Sequence, residues 1–247
     1  MTPNSEIILE ADRATLQDSL GVSEILKDIS FQIKQRDRAV ILGISGSGKT
    51  SLLRLLNRLS EPTTGTLFFA GTPYSKIPVI SLRQQIVLVP QEPKLLGMTV
   101  QEALAYPLKL QQLSRQEINT RLTTYCEQLH IPESWYDKNE LELSVGQRQL
   151  VTIARGLMMQ PKVLLLDEPT SALDINTTSN LIQCLNWQAM TILMVNHQLD
   201  IAEMFSDRVL YLREGQLIKD IPNDHLNWQE MKQEMMKIEQ KIEEEWS

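Results

Sequence analysis

The residues best suited to chemistry in this 247-residue chain form the run Gly43-Ile44-Ser45-Gly46-Ser47-Gly48-Lys49-Thr50. The apolar run Ala39–Leu42 leads into it, and Ser51-Leu52-Leu53-Arg54-Leu55-Leu56 follows with helical character. Glycines at 43, 46 and 48 let backbone N–H groups close around phosphate oxygens, and the N-terminus of the following helix favours an anion. Ser45, Ser47 and Ser51 complete a polar lining. Lys49 can reach the β- and γ-phosphates, and Thr50 can ligate Mg2+. A flexible turn is the competing reading, but it would not require a strand before the loop and a helix after it. The pattern implies a nucleoside triphosphate and Mg2+ as ligands.

A second candidate is Val163-Leu164-Leu165-Leu166-Asp167-Glu168, an apolar strand that ends in two carboxylates. Asp167 suits the metal side of a phosphoryl-transfer site and Glu168 suits the general base that meets the attacking water. Adjacent acids alone are as often a solvated turn. Together with the upstream loop they imply phosphoanhydride hydrolysis or transfer, with a kinase, a GTPase and a helicase-like motor all still open.

Three further elements narrow the choice. Leu143-Ser144-Val145-Gly146-Gln147-Arg148-Gln149 opens an amphipathic stretch that runs to Leu157, and its Ser144-x-x-Gln147 spacing is also an ordinary helix cap. Gln91 follows the run Ile86–Val89, Pro169-Thr170-Ser171-Ala172-Leu173-Asp174 follows the acid pair, and His197 follows Ile192–Val195. Singly, such a glutamine is usually a surface residue, and such a histidine usually satisfies a local hydrogen bond. In this order, from about Ile7 to Ile221, the set resembles the ABC ATPase family.

That resemblance implies two such domains arranged head to tail around two ATP molecules, either as a homodimer or with a second ATPase domain. The phosphate loop of one would face Ser144, Gly146 and Gln147 of the other. Glu168 would activate water, His197 would contact the γ-phosphate, Gln91 would sense Mg2+ and the attacking water while linking the helical subdomain to the transporter, and Thr50 and Asp167 would serve Mg2+. The chain would be the ATP-hydrolysing subunit of an ABC transporter, peripheral at the cytoplasmic face of the inner membrane and seated on a separate transmembrane permease subunit. Leu95, Leu96 and Met98 are the expected permease contacts.

Two residues depart from the family pattern. Val145 replaces the usual first glycine of the signature pair, which predicts altered local geometry with activity retained. Leu20 stands where an aromatic residue normally stacks on adenine. An aromatic face contributes about 1 to 3 kcal/mol of base stacking in nucleic-acid binders, so a leucine predicts weaker base selectivity and appreciable GTP binding. The texture from Ser81 to Val100 is similar to small bacterial iron-export-type ATPases and suggests metal-ion export. The alternative is a soluble ABC ATPase of the iron–sulfur cluster assembly type, although that group's signature carries a glycine pair and a glutamate in place of Val145-Gly146-Gln147.

Positioning these residues requires strands that end where they stand. Apolar runs alternate with amphipathic ones along the chain, which predicts an α/β fold of the P-loop NTPase type with a mainly parallel core sheet. The runs before Leu42 and the stretch Thr66–Phe69, separated by turn residues, predict a small antiparallel β subdomain. From about 98 to 157 the strand signal gives way to helical spacing, which predicts an inserted α-helical subdomain. Residues 1–222 then form the ATPase domain. Residues 223–247 form an amphipathic C-terminal helix with Trp228, Met231, Met235, Ile238 and Ile242 along one stripe, which predicts packing onto the main domain, with a self-association or partner-binding helix as the alternative.

Composition excludes other classes. A net charge of -7 opposes a nucleic-acid or anionic-membrane surface. Cys126 and Cys184 lack metal or disulfide spacing and read as buried apolar residues. No apolar run approaches the roughly 18 residues of a membrane span.

Overall fold

The computed structural model describes residues 7–246; residues 1–6 and 247 lie outside it, as do the side chains of 239 and 241–246, Ile242 among them. The first two strands, β1 (Ile7–Gln17) and β2 (Glu24–Lys34), pair antiparallel. Along β2 the residues alternate in and out, with Ile29, Phe31 and Ile33 inward, as expected for a sheet packed on one face. The short β3 (Arg38–Leu42) feeds the glycine-rich loop and α1 (Lys49–Leu56). Next come β4 (Thr64–Phe69) and β5 (Thr72–Pro73), which extend the antiparallel sheet to the order β2-β1-β4-β5.

After α2 (Val79–Gln85) and β6 (Ile86–Val89) the chain leaves the sheets for α3 (Val100–Leu110), α4 (Arg115–Gln128) and α5 (Val145–Met158). Each of these three helices starts with a capping box, Thr99 with Glu102, Ser114 with Glu117 and Ser144 with Gln147. Reciprocal capping satisfies two backbone donors at each start, so the helix boundaries are written locally in the sequence. The chain then returns through β7 (Val163–Asp167), α6 (Ile175–Asn186), β8 (Thr191–Val195), α7 (Leu199–Phe205), β9 (Arg208–Arg213), β10 (Gln216–Pro222) and α8 (Trp228–Trp246).

The second sheet has the order β10-β9-β3-β8-β7-β6, parallel throughout except for the antiparallel edge pair β9–β10. The run that ends at Leu42 is therefore not part of the antiparallel sheet with the runs before it. It is central in the parallel sheet, between β8 and β9. Every residue of β7 and β8 is buried, the signature of strands covered on both faces. One face packs against α1 and the antiparallel sheet, and the other packs against the helical subdomain.

The C-terminal helix completes a smaller core. Met231 and Met235 of α8 pack with Ala202 of α7 and with Val40, Leu42, Val209 and Tyr211 of β3 and β9. Trp228 and Leu226 border the same cluster, and the Trp228 indole N–H donates to Asn223 Oδ1 at 2.6 Å. The stripe expected in the tail thus covers the strand that enters the glycine-rich loop. Met231→Ala is expected to destabilise the protein by about 2–4 kcal/mol through the cavity it leaves. Met236→Ala, on the exposed face, should stay within about 0.5 kcal/mol. Urea unfolding of both variants checks this.

Candidate functional site

The loop after β3 is shaped by backbone that only glycine adopts freely. Gly48 has φ +101, and a Cβ at Gly43 would lie 2.4 Å from the carbonyl oxygen of Leu212. Close packing of β9 behind the loop therefore forbids a side chain at Gly43. Lys49 opens α1, and its ammonium donates to the carbonyl oxygens of Gly43 (2.8 Å) and Ile44 (2.7 Å) beneath the loop's arc.

Three adjacent parallel strands carry the other candidate side chains. Gln91 follows β6, Asp167 ends β7 with Glu168 immediately after it, and His197 lies just beyond β8. The Glu168 carboxylate is held on both oxygens: Gln91 Nε2 donates to Oε2 at 2.9 Å and His197 Nε2 lies 2.8 Å from Oε1. Glu168 itself is left-handed, with φ 48. Its N–H donates to Val195 O (3.0 Å), and its carbonyl oxygen accepts from Ser171 N–H (3.3 Å) and Ser171 Oγ (3.1 Å). A cavity of about 420 Å3 brings Ser45, Gly46, Gly48, Lys49, Thr50 and Ser51 together with Gln91, Glu168 and His197. Gly43 and Ser47 support the loop from behind, with Ser47 buried.

Asp167 lies deeper. Burial, its largest influence, pushes its pKa above the ordinary carboxylate range, against the lowering effect of a hydrogen bond with Thr50; neighbouring Glu168 raises it further. Asp167 Oδ1 is buried with no hydrogen-bond partner. An orphaned carboxylate oxygen beside a threonine hydroxyl fits a hard divalent cation whose remaining ligands are phosphate oxygens and water. Among the described residues no group of three or more His, Cys, Asp or Glu could hold a metal by itself.

The remaining expected residues stand elsewhere. Ser144, Gly146 and Gln147 are at the start of α5, and none of them lines the cavity. Val145 leaves the local backbone regular: it is the first residue of α5, half exposed at 51%, and the cap around it is complete. Gly146 is held to glycine by close approach, since a Cβ would lie 2.6 Å from Ala172 O. Leu95 is fully buried in the helical-subdomain core and cannot meet a partner, whereas Leu96 is exposed. Leu20 is 83% exposed on the β1–β2 turn, where the Asp18 carboxylate accepts the N–H groups of Leu20 and Val22. The apolar residue at the cavity is instead Ile25, near the start of β2. Its place in an ordinary alternating strand gave no sequence signal.

Comparison with known proteins agrees with this arrangement. The ABC transporter family model matches residues 26–171. The chain belongs to the ABC transporter family. It is 36% identical over 207 residues to the glutamine transport ATP-binding protein GlnQ of Bacillus subtilis, covering 81% of this chain and 85% of that one. Identity to the arginine transport ATP-binding protein ArtP of Escherichia coli K12 is 37% over 210 residues, with coverage of 81% and 86%. The uncharacterized ABC transporter ATP-binding protein YfiB of Bacillus subtilis is longer, and the match, at 35% identity, spans 79% of this chain and 35% of YfiB.

Among solved structures, cbiO1 from Clostridium perfringens, part of the ABC transporter complex cbiONQ, superposes with a TM-score of 0.78 at 31% identity over 89% of this chain and 90% of its own. The dimeric ATP-binding cassette MJ0796 bound to ADP and Pi gives a TM-score of 0.81 at 26% identity, with coverage of 87% and 99%. This ABC ATPase is thus an ATP-binding transporter subunit, and no helix among its described residues is long and apolar enough to cross a membrane.

Burial outweighs the Thr50 hydrogen bond at Asp167, so its charged form costs stability when no cation is present. Asp167→Asn should therefore raise the melting temperature of the nucleotide-free ABC ATPase at pH 8 relative to the native chain. It should also remove most of the stabilisation that Mg2+ adds to bound ATP. Thermal melts with ATP in EDTA and with MgATP test both halves.

Proposed function

We infer that this ABC ATPase hydrolyses MgATP in a head-to-tail dimer and so drives a solute through a separate transmembrane subunit. The observation that carries this reading is the Glu168 carboxylate, held between Gln91 and His197 in front of the phosphate loop, in a cavity that the chain's own Ser144, Gly146 and Gln147 do not reach. A second copy facing the loop would supply those three groups and close the site. The exposed Ser144 at the N-terminus of a 14-residue helix suits the γ-phosphate of a partner's nucleotide.

In the reaction Glu168 takes a proton from water, the water oxygen bonds to the γ-phosphorus, and the bond to the β–γ bridging oxygen breaks to leave ADP and phosphate. Lys49, the loop N–H groups and His197 stabilise the charge that develops on the phosphoryl oxygens. Thr50, Asp167 and Gln91 would hold Mg2+, which would supply charge neutralisation for the β- and γ-phosphates when bound. Ile25 gives the base an aliphatic neighbour in place of an aromatic one, which supports GTP as well as ATP binding.

Residues 1–222 would form the catalytic unit, with the helical subdomain at about 98–157 and the C-terminal helix as a buttress. A groove of about 200 Å3 between β6 and the helical subdomain, lined by Leu96, Tyr106, Leu110 and Met159, suits a short helix of the permease. Seated there, the chain would lie at the cytoplasmic face of the inner membrane. The names of GlnQ and ArtP make an amino acid the cargo class to test first, ahead of the metal-ion export suggested by the texture of Ser81–Val100.

Glu168→Gln is expected to keep nucleotide affinity within about threefold while lowering kcat by a hundredfold or more. It should also accumulate as an ATP-bound dimer in light scattering. Unchanged turnover would remove Glu168 from the general-base role. Purified from detergent-solubilised membranes with MgATP, the same variant should retain a multi-span protein; a soluble partner alone would favour the iron–sulfur assembly alternative.

A further inference from the structure

His197 stands between two residues that share one partner. The Asn196 side-chain amide donates to the Thr170 hydroxyl (3.0 Å), and the Thr170 hydroxyl donates to Gln198 Oε1 (3.2 Å). The backbone N–H of Gln198 in turn donates to Asn196 Oδ1 (2.8 Å). These bonds close a ring. Thr170 and Asn196 are only 2% and 3% exposed, so water competes poorly for their polar groups. Thr170 lies two residues after Glu168, while Asn196 and Gln198 flank His197.

The ring takes over where the sheet stops. The β7–β8 ladder ends at the pair Asp167 and Val195, one residue before Glu168 and two before His197. Beyond that point Glu168 adopts the left-handed backbone, a conformation that persists in a non-glycine residue only where its surroundings over-determine it. Backbone bonds from Glu168 N–H to Val195 and from Ser171 to Glu168 O hold part of this turn. Besides the Glu168–His197 contact itself, side-chain bonds between the two turns pass through Thr170.

We propose that Thr170, Asn196 and Gln198 act as a positioning clamp, with the Thr170 hydroxyl as its hub, that sets the relation between the Glu168 carboxylate and the His197 imidazole. None of the three lines the nucleotide cavity, so they act through Glu168 and His197 and do not touch the reacting atoms. The clamp rests on the assignment of those two residues to hydrolysis.

Thr170→Val keeps the volume and removes the hub. It should lower kcat roughly tenfold, because small misplacements of reacting groups carry large rate penalties. Nucleotide Kd should stay within about twofold, since the phosphate loop is untouched. Thr170→Ser, which restores the hydroxyl, should recover kcat to within about twofold of the native chain. In a His197→Ala background Thr170→Val should add little further loss, as expected for residues that work as one unit. Gln198→Ala, at an exposed position, should lower kcat in the same direction and gives a second reading if Thr170→Val fails to fold.

Native kcat in both Thr170→Val and Gln198→Ala would overturn the clamp. So would equal losses in Thr170→Val and Thr170→Ser, or full additivity with His197→Ala. Glu168→Gln assayed alongside separates the two levels. Turnover retained in that variant would sink the site assignment itself, whereas turnover lost there with Thr170→Val at the native rate would sink the clamp alone.

Discussion

Strands buried on both faces can offer polar groups to a ligand only at their ends, and this constraint organises the whole molecule. β6, β7 and β8 lie side by side in parallel, so their C-terminal ends open onto one edge of the sheet. Gln91, Asp167, Glu168 and His197 gather there although more than a hundred residues separate the first from the last. β3 ends at the same edge and delivers the phosphate loop. Ligand sites at the carboxyl ends of parallel strands follow from this geometry in open α/β sheets generally.

The same burial creates the electrostatic tension of the site. Asp167 is pushed toward its neutral form by desolvation, and one of its oxygens has no partner. Glu168, one residue further along, has turned out of the strand into a left-handed conformation, and both of its oxygens are engaged by side chains from neighbouring strands. Two adjacent carboxylates therefore occupy different environments, one suited to a cation and the other poised at the cavity. The backbone reversal at Glu168 separates them.

The chemistry was more legible in the sequence than the arrangement. The phosphate loop, the acid pair and the capping boxes are short-range patterns whose physical logic fits within a few residues, and the structure brings Glu168 of the acid pair to one cavity with the loop. The parallel membership of Ala39–Leu42 was less evident, because a short apolar run does not reveal its neighbours. Leu20 stands where the family places an aromatic residue, but the Asp18-centred turn exposes it, and Ile25 is the apolar residue that lines the cavity. Leu95 and Leu96 look alike in sequence, but one is buried and the other exposed. Which of two adjacent leucines meets solvent is decided by tertiary packing and not by composition.

The claim most exposed to refutation is that the site is completed by a second copy facing the first. Cys126 and Cys184 are buried, so a thiol placed on the surface can be addressed selectively. Two Glu168→Gln proteins, one also carrying Ser45→Cys and the other Ser144→Cys, should be mixed with MgATP and a short bismaleimide and resolved by mass spectrometry. The account predicts a covalent heterodimer joining position 45 of one subunit to position 144 of the other, strongly dependent on ATP. Absence of that species while ATP is bound, or its equal formation without nucleotide, would contradict the head-to-tail site.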